Sequence, residues 1–536
     1  MPSWEWLLGF WVKKSMKYEV LRKKYPKFVY KKYSYQISDK NLEIFFDFRI
    51  EPDIFFQPKV VIENVKESQI KSVGKGVLDN LVFNLGLIEM LSYWKATSAP
   101  EIIVNAGYLN LEQIKWWKDL IMKGMSQFFY ENKIDFLKPN FLKIISNVTR
   151  KDFVTNVTRK DFVTLKEGVL VPVGGGKDSV VTLELLKKTK KNIKCFSLNP
   201  TEAADEIMKM SDCKKPIIVR RRIDEKLLEL NRQGFLNGHT PFSAYLAFLS
   251  ILLAVIFDQK YIAFSNERSS NEGNLKYLGR TINHQWSKSF EFEQKFRKYC
   301  RKYLTPGVKE DKSSFPPSLP LRGSSVGDEN KVFIFTSASS GSSVVEYFSF
   351  LRPLYEIQIA KLFSKYPKYF NAFLSCNEAF KTASGTKLPT KKWCGKCPKC
   401  LFVFASLYLF VETKKLIKIF RKNLFEDPEG IPLSAGSYGA SKKLLPIMRQ
   451  LIGEEKFKPF ECVGTKKESL IAFYLSWKKY RGQTSANLPF LLEYFQNKIL
   501  PKYKNLEKES IKILNSWSNQ HYLPKKFEEI LKSNFP

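Results

Sequence analysis

The feature that most constrains this chain is the alternation of strand-like and helix-like runs that begins at Gly168. Apolar, β-branched stretches at Val169–Val173, Ile193–Leu198, Pro216–Arg220 and Tyr261–Ser265 are separated by amphipathic or apolar runs. Those runs are Asp178–Lys188, Glu202–Met210, Asp224–Gln233 and Phe242–Phe257. Such alternation predicts a parallel, doubly wound α/β sheet, whose ligand site falls at the carboxyl ends of the strands.

The first strand runs into Gly174-Gly175-Gly176-Lys177-Asp178-Ser179 and then into a helical pattern. Consecutive glycines let backbone N–H groups converge on one phosphate, and the helix start adds its positive dipole end. The spacing is neither that of a Walker loop nor that of the dinucleotide fingerprint. It resembles the SGGxDS loop of the ATP pyrophosphatase (PP-loop) family, with Gly174 in place of the leading serine. That resemblance implies a fold of PP-loop type and cleavage of ATP to AMP and pyrophosphate. It implies that the cofactor-binding run is Gly174–Ser179, in which Gly175, Gly176 and Ser179 grip the pyrophosphate, Lys177 adds charge and Asp178 holds Mg2+, and that Asn199 lies where the adenine binds.

Two further segments carry polar groups at expected strand ends. Gly238-His239-Thr240-Pro241 precedes an apolar helix, with Thr240 suited to the cap and Pro241 to the first turn. Asn266-Glu267-Arg268 follows the strand Tyr261–Ser265, and Asn283-His284-Gln285-Trp286-Ser287-Lys288 lies shortly after. His239, Glu267, His284 and Lys288 are the candidate catalytic groups, and Asn266, Arg268 and Trp286 the candidate substrate contacts.

Cys394, Cys397 and Cys400 follow a C-x2-C-x2-C rhythm, with Cys376 upstream. Four thiolates suit a tetrahedral zinc site, offset in charge by Lys391, Lys392, Lys396 and Lys399; an iron–sulfur cluster is the competing reading. A four-cysteine site beside a PP-loop also resembles 7-cyano-7-deazaguanine synthase. Eight cysteines in 536 residues are too few for a disulfide scaffold, which points to a reducing, cytoplasmic setting. Residues Met1–Val12 lack the features of a signal peptide, and Pro241–Phe257 reads as a buried helix rather than a membrane span.

With 88 Lys plus Arg against 53 Asp plus Glu, the net charge of +35 favours anionic partners without naming one. Nucleic acid therefore stays open, although the basic residues are scattered rather than gathered on one arm.

The remaining chain divides as follows. Residues 1–146 read as an α+β N-terminal domain, with strands at Leu42–Ile50, Lys59–Ile62 and Glu101–Val104 and helical patterns at Val77–Trp94 and Leu111–Tyr130. Residues 147–165 read as a linker in which NVTRKDFVT occurs twice, letter for letter. The PP-loop domain spans 166–304, a Ser/Pro/Gly-rich insertion 305–344, a helical and four-cysteine region 345–410, and a helical C-terminal region 411–536.

Longer strings are more specific than the loop. VPVGGGKDS, LNGHTPFSA, SNERSSNEGN, NHQWSKS, YFSFLRPLYEIQIA, SCNEAFK, WCGKCPKCLFVF and KPFECVGT together resemble the UDP-N-acetyl-α-D-muramoyl-L-alanyl-L-glutamate epimerase family, as do LIEMLSYWKA and WWKDLIMKGMSQFFYENKI. The resemblance implies an ATP- and Mg2+-dependent inversion of the terminal L-Glu of UDP-N-acetylmuramoyl-L-Ala-L-Glu to D-Glu through an acyl adenylate, in peptidoglycan precursor synthesis. His239, His284, Glu267 and Cys462 are then candidate acids and bases, in an order the sequence leaves open. A deazaguanine synthase or tRNA-thiolation type of PP-loop enzyme is the alternative.

Overall fold

The computed structural model describes residues 16–149, 165–189, 191–305, 345–381, 390–426, 444–483 and 487–535. Most of the repeated nonapeptide, nearly all of the Ser/Pro/Gly-rich stretch and residues Met1–Val12 lie outside these segments.

The strands, in chain order, are β1 (Lys27–Ser38), β2 (Asn41–Ile50), β3 (Ile54–Phe56), β4 (Lys59–Ile62), β5 (Glu101–Val104), β6 (Lys143–Ser146), β7 (Val169–Pro172), β8 (Ile193–Leu198), β9 (Ile217–Arg222), β10 (Tyr261–Phe264), β11 (Leu275–Tyr277), β12 (Arg280–Ile282) and β13 (Glu346–Ser349). Apart from the β11–β12 hairpin they form one sheet in the order β13-β10-β7-β8-β9-β4-β2-β1-β5-β6, with β3 also on β2. The half from β13 to β9 is entirely parallel. The central strands β7 and β10 are short and apolar, as strands of a parallel sheet covered on both faces are; all four residues of β10 are buried. The expected α/β architecture with a mostly parallel sheet is present.

The N-terminal strands continue this sheet. β4 pairs antiparallel with β9, setting Lys59 opposite Arg222 and Ile62 opposite Val219, and one apolar core runs from Tyr18 to Tyr347. Residues 16–146 and the described region from 166 thus share a sheet and a core. In β2 alternate residues are buried, the signature of a strand covered on one face.

Two strands escape sequence patterning for identifiable reasons. β1 carries Lys31 and Lys32 where its register against β2 shifts, so its alternation is broken. β13 has four residues beside a stretch that reads as the start of helical patterning, yet it pairs in parallel with β10. The helix Phe242–Ile256 is buried along its length against the helix Lys75–Glu89. Among the described residues no helix is long and apolar enough to cross a membrane.

A second core joins the outer face of β7 and β10 to the C-terminal helices, including Glu356–Phe363, Pro398–Tyr408 and Lys466–Gln483. One disulfide, Cys195–Cys213, links β8 to the turn after the following helix, Glu202–Met210; it is an isolated link, not a scaffold.

Candidate functional site

The neighbouring strands β7, β10 and β13 each deliver a polar segment from their carboxyl ends. Beyond β7 the chain turns through Gly174–Gly176 into the helix Lys177–Lys187. Gly175 has φ +88°, and a Cβ there would lie 2.9 Å from the Ala204 amide nitrogen, so this position requires glycine. Leu374 N–H donates to the Gly175 carbonyl at 2.8 Å, and Ser179 Oγ donates to the Gly176 carbonyl at 2.8 Å. The turn is therefore preorganised, with the Ser179 hydroxyl committed to closing it.

Lys177 is turned inward. Its ammonium donates to Asp178 and to Glu356, at the start of the helix Glu356–Phe363 beyond β13. Lys399 reaches the other oxygen of Glu356 at 3.3 Å. From the end of β10, Glu267 is buried with its Oε1 unpartnered among the described residues. One carboxylate oxygen each from Asp178, Glu267 and Glu356 lies within 4.8 Å of the other two, a donor set that suits a hard divalent cation. Burial raises the Glu267 carboxyl, reinforced by Glu356 and Asp178 and opposed by Lys288 and Lys399. Burial also works to raise Glu356, but Lys177 and Lys399 outweigh it and hold this group below the usual range. Two neighbouring carboxyls are thus pushed apart in proton affinity, a feature of functional sites.

A thiol and two imidazoles lie beside this cluster, linked to it through Lys288. Lys288 Nζ donates to Cys462 Sγ at 3.4 Å, and His284 Nε2 lies 3.7 Å from the same sulfur. The rings of His284 and His239 are 5.5 Å apart. Burial, together with Lys95, lowers His239 to about 4; burial, with His239 and Lys288, drives His284 well below its ordinary value. Both imidazoles are neutral near pH 7. Burial opposes charge on Lys288, but Cys462, Glu267 and Asp178 overcome it and keep the ammonium protonated.

Arg352, fully buried, ties these parts together. It donates to the Glu267 carbonyl at 2.6 Å, to Ser270 Oγ at 3.0 Å, to the Lys288 carbonyl and to Glu293 Oε2 at 3.2 Å. One guanidinium thereby fixes the backbone of both Glu267 and Lys288.

The sequence candidates divide. Gly174–Ser179, Glu267, His284, Lys288 and His239 gather in one region of the fold. Asn266 donates to Ser349 Oγ at 3.1 Å, and Arg268 lies over the Tyr355 ring at 4.5 Å. Asn199 spends its amide on the Arg221 backbone, donating to the carbonyl at 2.9 Å and accepting at 2.8 Å from the N–H. Trp286 is buried, donating to Glu291 and packed on Phe292. Glu356 and Arg352 were missed by sequence reading. The available signal was an acid following Pro353-Leu354-Tyr355 at the head of an apolar run. Lys399, expected to balance the thiolates, instead meets Glu356 and the Cys462 carbonyl.

Cys376, Cys394, Cys397 and Cys400 converge as their spacing predicts. Their sulfurs are 3.5 to 3.8 Å apart across the pairs Cys376–Cys397, Cys394–Cys400, Cys397–Cys400 and Cys376–Cys400. Four thiolates about 2.3 Å from one tetrahedral ion would stand about 3.8 Å apart, so the quartet could bind zinc. A cluster whose thiolates each bind a different iron needs a wider cage.

The chain is an α/β protein with a mostly parallel sheet, in which a glycine turn and a carboxylate–lysine cluster stand beyond the carboxyl ends of adjacent strands, the place where open α/β sheets collect ligands. Residues 19–309 match the MurL N-terminal domain and residues 372–501 the MurL C-terminal domain. The chain belongs to the MurL family. It is 31% identical over 391 residues to a UDP-N-acetyl-alpha-D-muramoyl-L-alanyl-L-glutamate epimerase of Micromonospora sp., covering 73% of each chain. Proteins of the same name from Salinispora tropica (30%, covering 73% of this chain and 72% of the relative) and Xanthomonas oryzae pv. oryzae (27%, 84% and 85%) are also similar.

Proposed function

We propose that this protein is an ATP- and Mg2+-dependent epimerase that inverts the terminal L-Glu of UDP-N-acetylmuramoyl-L-Ala-L-Glu to D-Glu, cleaving ATP to AMP and pyrophosphate. The single observation that carries this reading is the gathering of a glycine turn and three carboxylates beyond the ends of β7, β10 and β13, with Lys288 linking them to a thiol–imidazole pair. The names of the relatives support it.

The chemistry explains why both halves are needed. An α-proton beside a carboxylate is very weakly acidic, because its removal puts a second negative charge next to the first. Converting the carboxylate to an acyl adenylate removes that charge and lets the carbon enolise, and each 1.36 kcal/mol of enolate stabilisation is worth about tenfold in rate. Gly175 and Gly176 present the turn to the phosphates. Asp178, Glu267 and Glu356 would hold Mg2+, which neutralises phosphate charge when bound. Neutral His284 and His239 can move protons, and protonated Lys288 supplies positive charge near a developing enolate. The cysteine quartet holds the Pro398–Tyr408 helix, and with it Lys399, as a structural zinc site.

Incubation with ATP, Mg2+ and the UDP-muramoyl dipeptide in D2O tests the reading. D-Glu bearing α-deuterium, with stoichiometric AMP, is expected. ATP cleavage stimulated only by tRNA or a deazapurine acid would replace it with the alternative PP-loop chemistry.

A further inference from the structure

Cys462 is set apart from the other cysteines of the chain. Cys195 and Cys213 are joined, Cys300 is buried in the core, and four form the quartet, whereas Cys462 is half-buried. Its sulfur touches an ammonium and an imbedded imidazole, Lys288 Nζ at 3.4 Å and His284 Nε2 at 3.7 Å. Its backbone is tied to the carboxylate cluster, because Lys399 bonds both the Cys462 carbonyl and Glu356, while Glu461 Oε2 accepts from the Lys399 N–H at 2.9 Å.

We propose that Cys462 exchanges the glutamyl α-proton on one face of the activated substrate. This inference rests on the epimerase reading and names a proton carrier for it. The Cα–H bond breaks, a sulfur lone pair forms S–H, and the electron pair left on carbon passes into the enolate of the acyl adenylate. In the reverse sense the S–H bond returns its proton to carbon; nothing is oxidised or reduced. Lys288, 3.4 Å from the sulfur, places positive charge beside it, and His284, with Nδ1 unpartnered among the described residues, passes the thiol proton onward between turnovers.

The test compares the parent protein with Cys462→Ser and Cys462→Ala, using the L-Glu and D-Glu dipeptide epimers separately. ATP–pyrophosphate exchange reports activation, and α-deuterium wash-in reports proton transfer on each face. In both variants activation should stay within about threefold. Inversion should fall about a hundred- to ten-thousand-fold, and wash-in should be lost from one epimer and kept in the other. Inversion within tenfold of the parent, equal loss of wash-in from both epimers, or joint loss of activation would each overturn the assignment. Inversion by the parent without nucleotide would instead sink the activation reading, and the epimer asymmetry would still report on Cys462.

Discussion

Lys177 and Glu356 stand 179 residues apart in the chain and form an ion pair in which each side chain is only 1% exposed. Lys399 approaches the same carboxylate, so Glu356 is shared between two ammonium groups. This pair joins the helix after β7 to the helix after β13.

Breaking one partner of such a pair strands buried charge. Glu356→Gln should destabilise the protein by about 3–5 kcal/mol, read from urea denaturation. The Lys177→Met/Glu356→Met double variant should cost less than the sum of its single changes, because it leaves fewer unpaired charges.

The glycines of the turn should not be interchangeable. Gly175→Ala meets both the positive φ and the Ala204 amide, so it should lose nucleotide-dependent turnover and destabilise by about 1–2 kcal/mol. Nothing lies within 4 Å of a Cβ at Gly174, so Gly174→Ser should keep activity within a few-fold of the parent. Parallel thermal melts and AMP-release assays distinguish the two.

Burial lowers His239 from 6.5 to about 4, so the folded protein binds its proton more weakly than the unfolded chain. The stability that this neutral imidazole contributes is complete above pH 6.5 and is lost as the pH falls toward 4, amounting to about 2–3 kcal/mol at pH 4.5. His239→Gln should flatten that part of the stability–pH curve, as followed by urea midpoints at pH 7, 5.5 and 4.5.

The sulfur quartet should carry one zinc per chain by elemental analysis. Cys397→Ser should reduce zinc content and lower the melting temperature, because metal binding is coupled to folding of the segments it joins. Activity should fall with zinc loss, since Lys399 lies one residue before Cys400.

Much of this architecture was legible in the residues. Ile193–Leu198, Glu202–Met210, Lys59–Ile62 and Glu101–Val104 fold over the ranges their patterns predict. The glycine turn and the cysteine rhythm were equally plain, because their chemistry is local: a positive φ, a helix start, a fixed ligand spacing. What local pattern misses is partnership. β1 hides behind paired lysines and a register shift, and its place beside β5 depends on strands far along the chain.

The candidate site divides in the same way. Residue types and spacing alone determined that a glycine-rich turn at a helix start, polar strand ends and a cluster of four cysteines exist in this chain. Only the tertiary structure decided that Glu356 closes on Lys177, that Lys399 serves that carboxylate rather than the thiolates, that Asn199 and Trp286 engage their neighbours, and that Cys462 meets Lys288 and His284. The reason is physical. Spacing along a strand or helix sets which residues share a face, whereas a buried charge finds its partner only when distant segments pack and exclude the water that would otherwise solvate it.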